Sequence, residues 1–310
     1  MILNANEVKA LAIRLGADTV GIAKAEPVAN PRRFVEWLDA GHAGDMSYLS
    51  KYKEQRFDPG LLLPGAQSII VIGKNYYPAI EDMAAMQTPF KVARYAWGLD
   101  YHDILRKMLN HLRTALRKSI PDLKARTCVD TAPFMDKYWA QKAGLGWQGK
   151  HSNIVSKEYG NWFVIGSLVI DAPIDSYDKM HSDHCGKCTA CIEACPTGAI
   201  KTPYMLNAVK CTSYWTIEAK SKKIHDDMTE KMQNWVFGCD ICISVCPFNR
   251  FQKPNTERAF SRLEGTGLVE TGEVIRLSDS QFAQKYKRSP IFRPGLKGLK
   301  RNISALTKSK

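Results

Sequence analysis

The stretch His184–Ile200, HCGKCTACIEACPTGAI, spaces four cysteines as C-x2-C-x2-C-x3-C-P, whereas Gly238–Asn249, GCDICISVCPFN, offers only C-x2-C-x3-C-P. A cubane iron–sulfur cluster takes four thiolates from several directions, more than one short loop can supply. In two-cluster proteins three cysteines of a run therefore bind one cluster, and the fourth, followed by proline, crosses to the other. The spacing predicts one cluster on Cys185, Cys188, Cys191 and Cys246, with Cys195 crossing to join Cys239 and Cys242 on the second. A regular second run would carry a cysteine three residues before Cys239, but Val236 stands there; Cys211, in AVKCTSYW, is the unassigned cysteine nearby and the expected fourth ligand. Zinc suits a single C-x2-C pair, but eight cysteines with two Cys-Pro ends fit two [4Fe–4S] clusters far better.

Eight of the nine cysteines fall between Cys185 and Cys246. In a reducing compartment such a density indicates metal ligation rather than a disulfide framework. The ninth, Cys128 in the strand-like ARTCVDT, reads as a small buried hydrophobe. With 310 residues, 45% hydrophobic and 24% charged, the chain has room for two domains and an ordinary globular composition. No apolar run approaches the roughly 18 residues of a membrane span, and MILNANEVKALAIRLG lacks the layout of a secretion signal. A cytoplasmic monomer without membrane contact is expected. The net charge is +13, with Lys and Arg dense in Glu218–Lys223 and Lys285–Lys310. That charge permits a polyanionic partner; its bland alternative is a solvated helix face and tail.

Val8, Leu11, Ala12 and Leu15 share one helical face that stops at Gly16. TVGIAKA, SIIVIGKNYY and WFVIGSLVI read as buried strands, and Leu105, Met108, Leu112 and Leu116 mark an amphipathic helix that Pro121 ends. Residues 1–178 are thus expected as an α/β or α+β domain. Residues 179–255 form a cysteine-rich unit too poor in apolar runs to fold without metal, and 256–310 a basic C-terminal segment. Clusters deliver single electrons, so another cofactor must perform the bond chemistry. With Val236 outside the ligand set, NWVFGC is free to form a surface beside the second cluster for it.

Nearly the whole chain resembles the epoxyqueuosine reductase family. The motifs include LGADTVGIAKA, GDMSYL, RFDPGLLLPGAQSIIVIGKNYY, VARYAWGLDYH, VDTAP, AGLGWQGKHSNIV, KCTSYWTIEAK and FGCDICISVCPFNR. The resemblance implies an α+β protein, with a nitroreductase-like cobalamin-binding domain followed by a two-cluster ferredoxin-like domain. It implies reduction of epoxyqueuosine to queuosine at the wobble position of tRNA anticodons, fed by a low-potential electron donor. Matched motif by motif, it implies Asp130 of VDTAP as proton donor. Cobalamin contacts would be Arg56 of RFDP, Asp130, Asn153 and Ser156 of HSNIVS, Ser213 of CTSYW, and Phe237 and Gly238 of FGCD. Lys137 and Lys220 would touch tRNA. The family's cobalt carries no protein imidazole, and the sequence agrees: in the nearest approach to Asp-x-His-x-x-Gly, Asp100-x-His102, Leu105 replaces the glycine. His102 then reads as a helix-start residue. Many relatives continue into a helical-repeat domain, so the resemblance implies a short form in which the basic stretch from Lys285 carries more of the tRNA contact.

Reducing an epoxide to an alkene releases its oxygen as water and takes two electrons and two protons, so a general acid must protonate the leaving oxygen. An aspartic acid suits this role where partial burial raises its pKa towards neutrality; without the resemblance Asp130 would read as a strand-end turn residue. Two other classes share some features. A plain electron carrier would not need the N-terminal domain, and a reductive dehalogenase-like enzyme acting on a small molecule would not need a charge of +13.

Overall fold

The computed structural model describes residues 2–78, 90–261 and 271–308. Helix α1 (Ala5–Arg14) begins at Asn4, whose side chain accepts the Glu7 N–H. Strands β1 (Thr19–Lys24), β2 (Ser68–Asn75) and the short β3 (Lys91–Val92) follow, then helix α2 (Tyr101–Leu116), capped by Asp100. Strand β4 (Ala125–Cys128), helix α3 (Asp136–Lys142) and strand β5 (Phe163–Ile170) complete the first unit. The main sheet runs β1-β2-β5-β4 with every neighbouring pair antiparallel, so the fold is α+β rather than doubly wound.

Strand β2 is buried at every position, which is why its sequence is a continuous apolar run rather than an alternation. Ile70 and Ile72 face the layer filled by Val8 and Ala12 of α1 and by Leu105, Leu109 and Leu112 of α2. Ile69 and Val71 point the other way, against Trp139 and Ala140 of α3, with Cys128 fully buried among them. Strands β1, β2 and β5 and helices α1 and α2 stand where the apolar runs and periodicities put them, whereas β3 carried no such signal.

In the second unit come helix α4 (Thr212–Ile217), strand β6 (Trp235–Phe237), and helices α5 (Asp279–Tyr286) and α6 (Gly295–Lys308). Strand β6 pairs in parallel with β3, so the cysteine-rich segment takes a strand from the part of the chain before residue 178. The C-terminal stretch is not the solvated tail its lysines suggest. Leu296, Leu299, Ile303 and Leu306 recur at helical spacing and pack with Trp215, Val236, Phe237 and Tyr286 in one core. Asn302, fully buried, donates to the carbonyls of Thr216 (2.8 Å) and Val236 (2.9 Å), and Arg301 donates to those of Trp215, Ala219 and Ser221. Helix α6 is therefore bolted to α4 and β6. Residues 262–270 of the 256–310 segment lie outside the described residues. Among the described residues no helix is long and apolar enough to cross a membrane.

Candidate active site and cluster sites

Cys185, Cys188, Cys191 and Cys246 line one small cavity, together with Lys150, His184 and Phe248. The Lys150 ammonium, buried, donates to the carbonyls of Gly186 (2.6 Å) and Cys188 (2.8 Å), so the GWQGK stretch clamps the first cysteine loop. Trp147 of the same stretch, fully buried, lies edge-on to His184 and Phe248. The other four cysteines make a second group: Cys242 lies within electrostatic reach of Cys211, Cys239 and Cys195. Burial pushes the Cys191 thiol up to about 11 and the Cys239 thiol up to about 12, so these groups ionise only against a bound cation. Among the described residues no three His, Cys, Asp or Glu side chains close on a point that one ion could occupy. A cubane meets its cysteines through four separate irons, so its thiolates stand farther apart than those around a single metal, and the donor set fits clusters.

Beside the second group opens a cleft of about 400 Å3. Its walls include Asp100, Tyr101 and His102 at the start of α2, Asp130 after β4, Cys211 and Ser213 at the start of α4, Phe237 at the end of β6, and the turn Ser289–Arg293 before α6. Tyr95 packs edge-on to Tyr101 at 5.9 Å and against Phe237 at 6.0 Å, giving the cleft an aromatic floor. Gly238 follows Phe237 with φ +65°, and a Cβ there would stand 2.5 Å from the Ala93 Cβ, so only glycine fits. Its N–H donates to Thr216 Oγ1 (3.0 Å).

Asp130 has φ +47°, and the imidazole of His102 stands 3.3 Å from its Oδ2. The Asp130 side chain is 58% exposed, its open side facing the cleft, while the protein on its other side partly desolvates the carboxylate. Burial pulls its pKa upward, but His102, Arg293 and Lys137 outweigh that and hold it below the ordinary carboxylate value. The expectation that burial raises this pKa is thus reversed by neighbouring cations. The second imidazole nitrogen of His102 meets Asp100 Oδ1 at 2.7 Å, and the ring stacks on Tyr101 at 4.2 Å. Burial opposes its charge, but the hydrogen bonds and charges of Asp100 and Asp130 raise it from 6.5 to about 9. His102 is therefore a member of the site, not just a helix-start residue. The available signal was the Asp-x-His pair in LDYH; its partner lies 28 residues away.

Of the remaining sequence candidates, Ser213 and Phe237 line the cleft with Asp130. Arg56, buried, donates to the Phe134 carbonyl (3.3 Å), and its Nε has no hydrogen-bond partner. Asp136 nearby is pushed up to about 7 by burial and the Asp130 charge. Ser156 spends its hydroxyl oxygen on the N–H groups of Glu158 and Tyr159, as a turn cap. Asn153 accepts from the Lys137 ammonium (2.8 Å). Desolvation lowers the Lys137 pKa against the pull of Asp130, Cys242, Asp136 and Cys211, while the residue itself is exposed and is not among those lining the cleft. Lys220 is exposed, its N–H anchored on Asp45 Oδ2 (2.9 Å).

An α+β unit whose cleft opens on the second of two cysteine groups is the architecture of an iron–sulfur oxidoreductase. Residues 184–249 match the family described as 4Fe-4S double cluster binding domain, and residues 56–131 that described as Epoxyqueuosine reductase QueG, DUF1730. The curated epoxyqueuosine reductase of Leadbetterella byssophila is 41% identical over 299 residues, 96% of each chain. An epoxyqueuosine reductase crystallised with a tRNA-Tyr epoxyqueuosine-modified stem loop superposes with a TM-score of 0.87 at 29% identity, covering 98% of this chain and 80% of that one. The Bacillus subtilis enzyme, with its catalytic aspartate loop swung out of the active site, gives 0.88 at 27% identity over 98% of this chain and 81% of that one. The chain belongs to the epoxyqueuosine reductase family.

Proposed function

We propose that this protein reduces epoxyqueuosine to queuosine in the anticodon of tRNA, with cobalamin in the cleft and two [4Fe–4S] clusters behind it. The observation that carries this reading is that Asp130, Ser213, Phe237 and Cys211 share one cleft. Cys185, Cys188, Cys191 and Cys246 would hold one cluster, and Cys195, Cys211, Cys239 and Cys242 the other, next to the cleft. The residues fit a large amphipathic cofactor: an aromatic floor, and a buried guanidinium whose Nε lacks a partner. Ser213, Phe237 and Gly238 would hold its face and Arg56 an edge, with Asn153 placed through Lys137. Bound cobalamin supplies a cobalt centre that can be reduced one electron at a time. Both ring nitrogens of His102, the one histidine among the cleft's lining residues, are engaged by carboxylates, which leaves none for cobalt.

The chain's own work is to receive the modified base, exclude water from it and protonate its oxygen. A wobble nucleotide lies in a loop and can be turned out of its stack at modest cost. Asp130, which lines the cleft, would give the leaving oxygen its proton. Electrons would enter from a low-potential donor through the clusters, and the protein would act as a cytoplasmic monomer. A small-molecule substrate is disfavoured by the +13 charge, which suits a phosphate backbone. Expression in a bacterium lacking its own epoxyqueuosine reductase tests the reading: queuosine should appear in its tRNA, and persistence of epoxyqueuosine alone would overturn it.

A further inference from the structure

We propose that His102 is the residue that supplies Asp130 with its proton, and that Asp100 positions the imidazole for this transfer. The inference rests on the epoxide-reducing reading above and concerns the source of the proton that Asp130 delivers.

The geometry is that of a relay. Nε2 of His102 stands 3.3 Å from Asp130 Oδ2, while Nδ1 lies 2.7 Å from Asp100 Oδ1. The same Asp100 oxygen accepts the His102 N–H at 2.9 Å as the N-cap of α2, so the cap that starts the helix also fixes the ring. Tyr101 covers one ring face. Only 13% of the His102 side chain is exposed, against 58% for Asp130, so the carboxylate meets the cleft and the imidazole stands behind it.

The surrounding charges decide where the proton rests. Asp100 faces the imidazole from its own helix start, and Asp130 from the loop after β4. Arg106, one turn along α2, is bonded to Thr131 Oγ1 (3.2 Å) beside Asp130, and Lys137 and Arg293 act on Asp130 from α3 and from the turn before α6. The phenols of Tyr95 and Tyr101 are pushed up by burial and stay neutral. Two carboxylates hold His102 protonated to about 9, while the cations keep Asp130 ionised. An ionised carboxylate cannot donate a proton, so the resting pair stores its proton on the imidazole.

In the step itself the epoxide C–O bond breaks and its oxygen takes a proton from Asp130, while Asp130 takes the Nε2 proton of His102. The neutral imidazole is then reprotonated from solvent. Epoxide, two electrons from a low-potential one-electron donor and two protons give alkene and water, the pair delivering a proton on each of two passes.

The test is single-turnover conversion of epoxyqueuosine in tRNA by the reconstituted holoenzyme, from about pH 5.5 to about pH 9.5, for wild type, His102→Gln and Asp100→Asn. The wild-type rate should be level through neutrality and fall above about 9, where the imidazolium is lost. Glutamine can keep a hydrogen bond to Asp130 but carries no exchangeable charge. Its rate should drop about 10²-fold near neutrality and recover roughly tenfold per unit as pH falls, because Asp130 must then take its proton from bulk water. Asp100→Asn should move the alkaline limb towards lower pH. A loss in His102→Gln of equal size at every pH, or an unchanged profile, would overturn the proposal while leaving the functional reading intact; a wild type that leaves epoxyqueuosine untouched would overturn both. Should the glutamine variant fail to load its clusters, NMR titration of labelled His102 decides. A midpoint near 9 that falls in Asp130→Asn supports the relay, and an ordinary wild-type midpoint near 6.5 overturns it.

Discussion

Asp130 sits in a left-handed backbone conformation that aspartate tolerates better than most residues, and the strain lies at the cleft rather than in the core. An amide at this position occupies the same space and cannot deliver a proton. Asp130→Asn should therefore retain clusters and tRNA binding but lose turnover by about 10²–10⁴-fold, the usual worth of a general acid; a near-wild-type single-turnover rate would reduce Asp130 to a backbone role. Electron paramagnetic resonance of the protein with cob(II)alamin should lack nitrogen superhyperfine splitting, since His102 is held by Asp100 and Asp130. A resolved nitrogen coupling would contradict that arrangement. The cysteine groups were legible in the sequence because cluster spacing is a local covalent pattern, and even the displaced Cys211 could be assigned to the second group by elimination. The partnership of His102 with Asp130 was not, because it joins a helix start to a strand end. Nor was the direction of the Asp130 shift, which depends first on His102 and then on cations contributed by the turn before α6 and by α3.

Among the elements, strands β1, β2, β4 and β5 and helices α1 and α2 followed from apolar runs and periodicity, since each buries one stripe or both faces of a run. Helix α6 shows how composition can hide a pattern: its lysines suggest a tail, while Leu296, Leu299, Ile303 and Leu306 supply a core face. Its consequence for the site is mechanical. Asn302 ties α6 to the carbonyls of Thr216 and Val236, on the helix that follows Cys211 and on the strand that ends at Phe237. Asn302→Ala would leave both carbonyls buried and unpaired, at about 1–3 kcal/mol for each. We expect a lower denaturation midpoint and loss of iron from the second cluster before the first; equal stability and full iron content would show that α6 does not brace the site. Deleting the chain after Ser289 would remove this core helix and so cannot serve as a clean probe of tRNA contact.

For the molecule as a whole, affinity for a tRNA must come largely from phosphates, because one modified base offers little contact area. With a net charge of +13, binding should weaken steeply as salt rises, through counterion release. Lys220 is exposed, so Lys220→Ala should flatten the slope of log affinity against log salt by about one unit. Lys137 is exposed as well, and Lys137→Ala should flatten the slope by a similar amount. Salt-independent binding would exclude a polyanionic substrate. The central claim is that one cleft joins the acid, cobalamin and the second cluster in the reduction of a tRNA nucleotide. Its most direct test is anaerobic incubation of the reconstituted protein with epoxyqueuosine-containing tRNA, cobalamin and a low-potential reductant, read by nucleoside mass spectrometry. The account predicts loss of one oxygen from the modified nucleoside, abolished when cobalamin is omitted or in Cys211→Ala. Unchanged epoxyqueuosine, with both clusters and cobalamin spectroscopically in place, would contradict it.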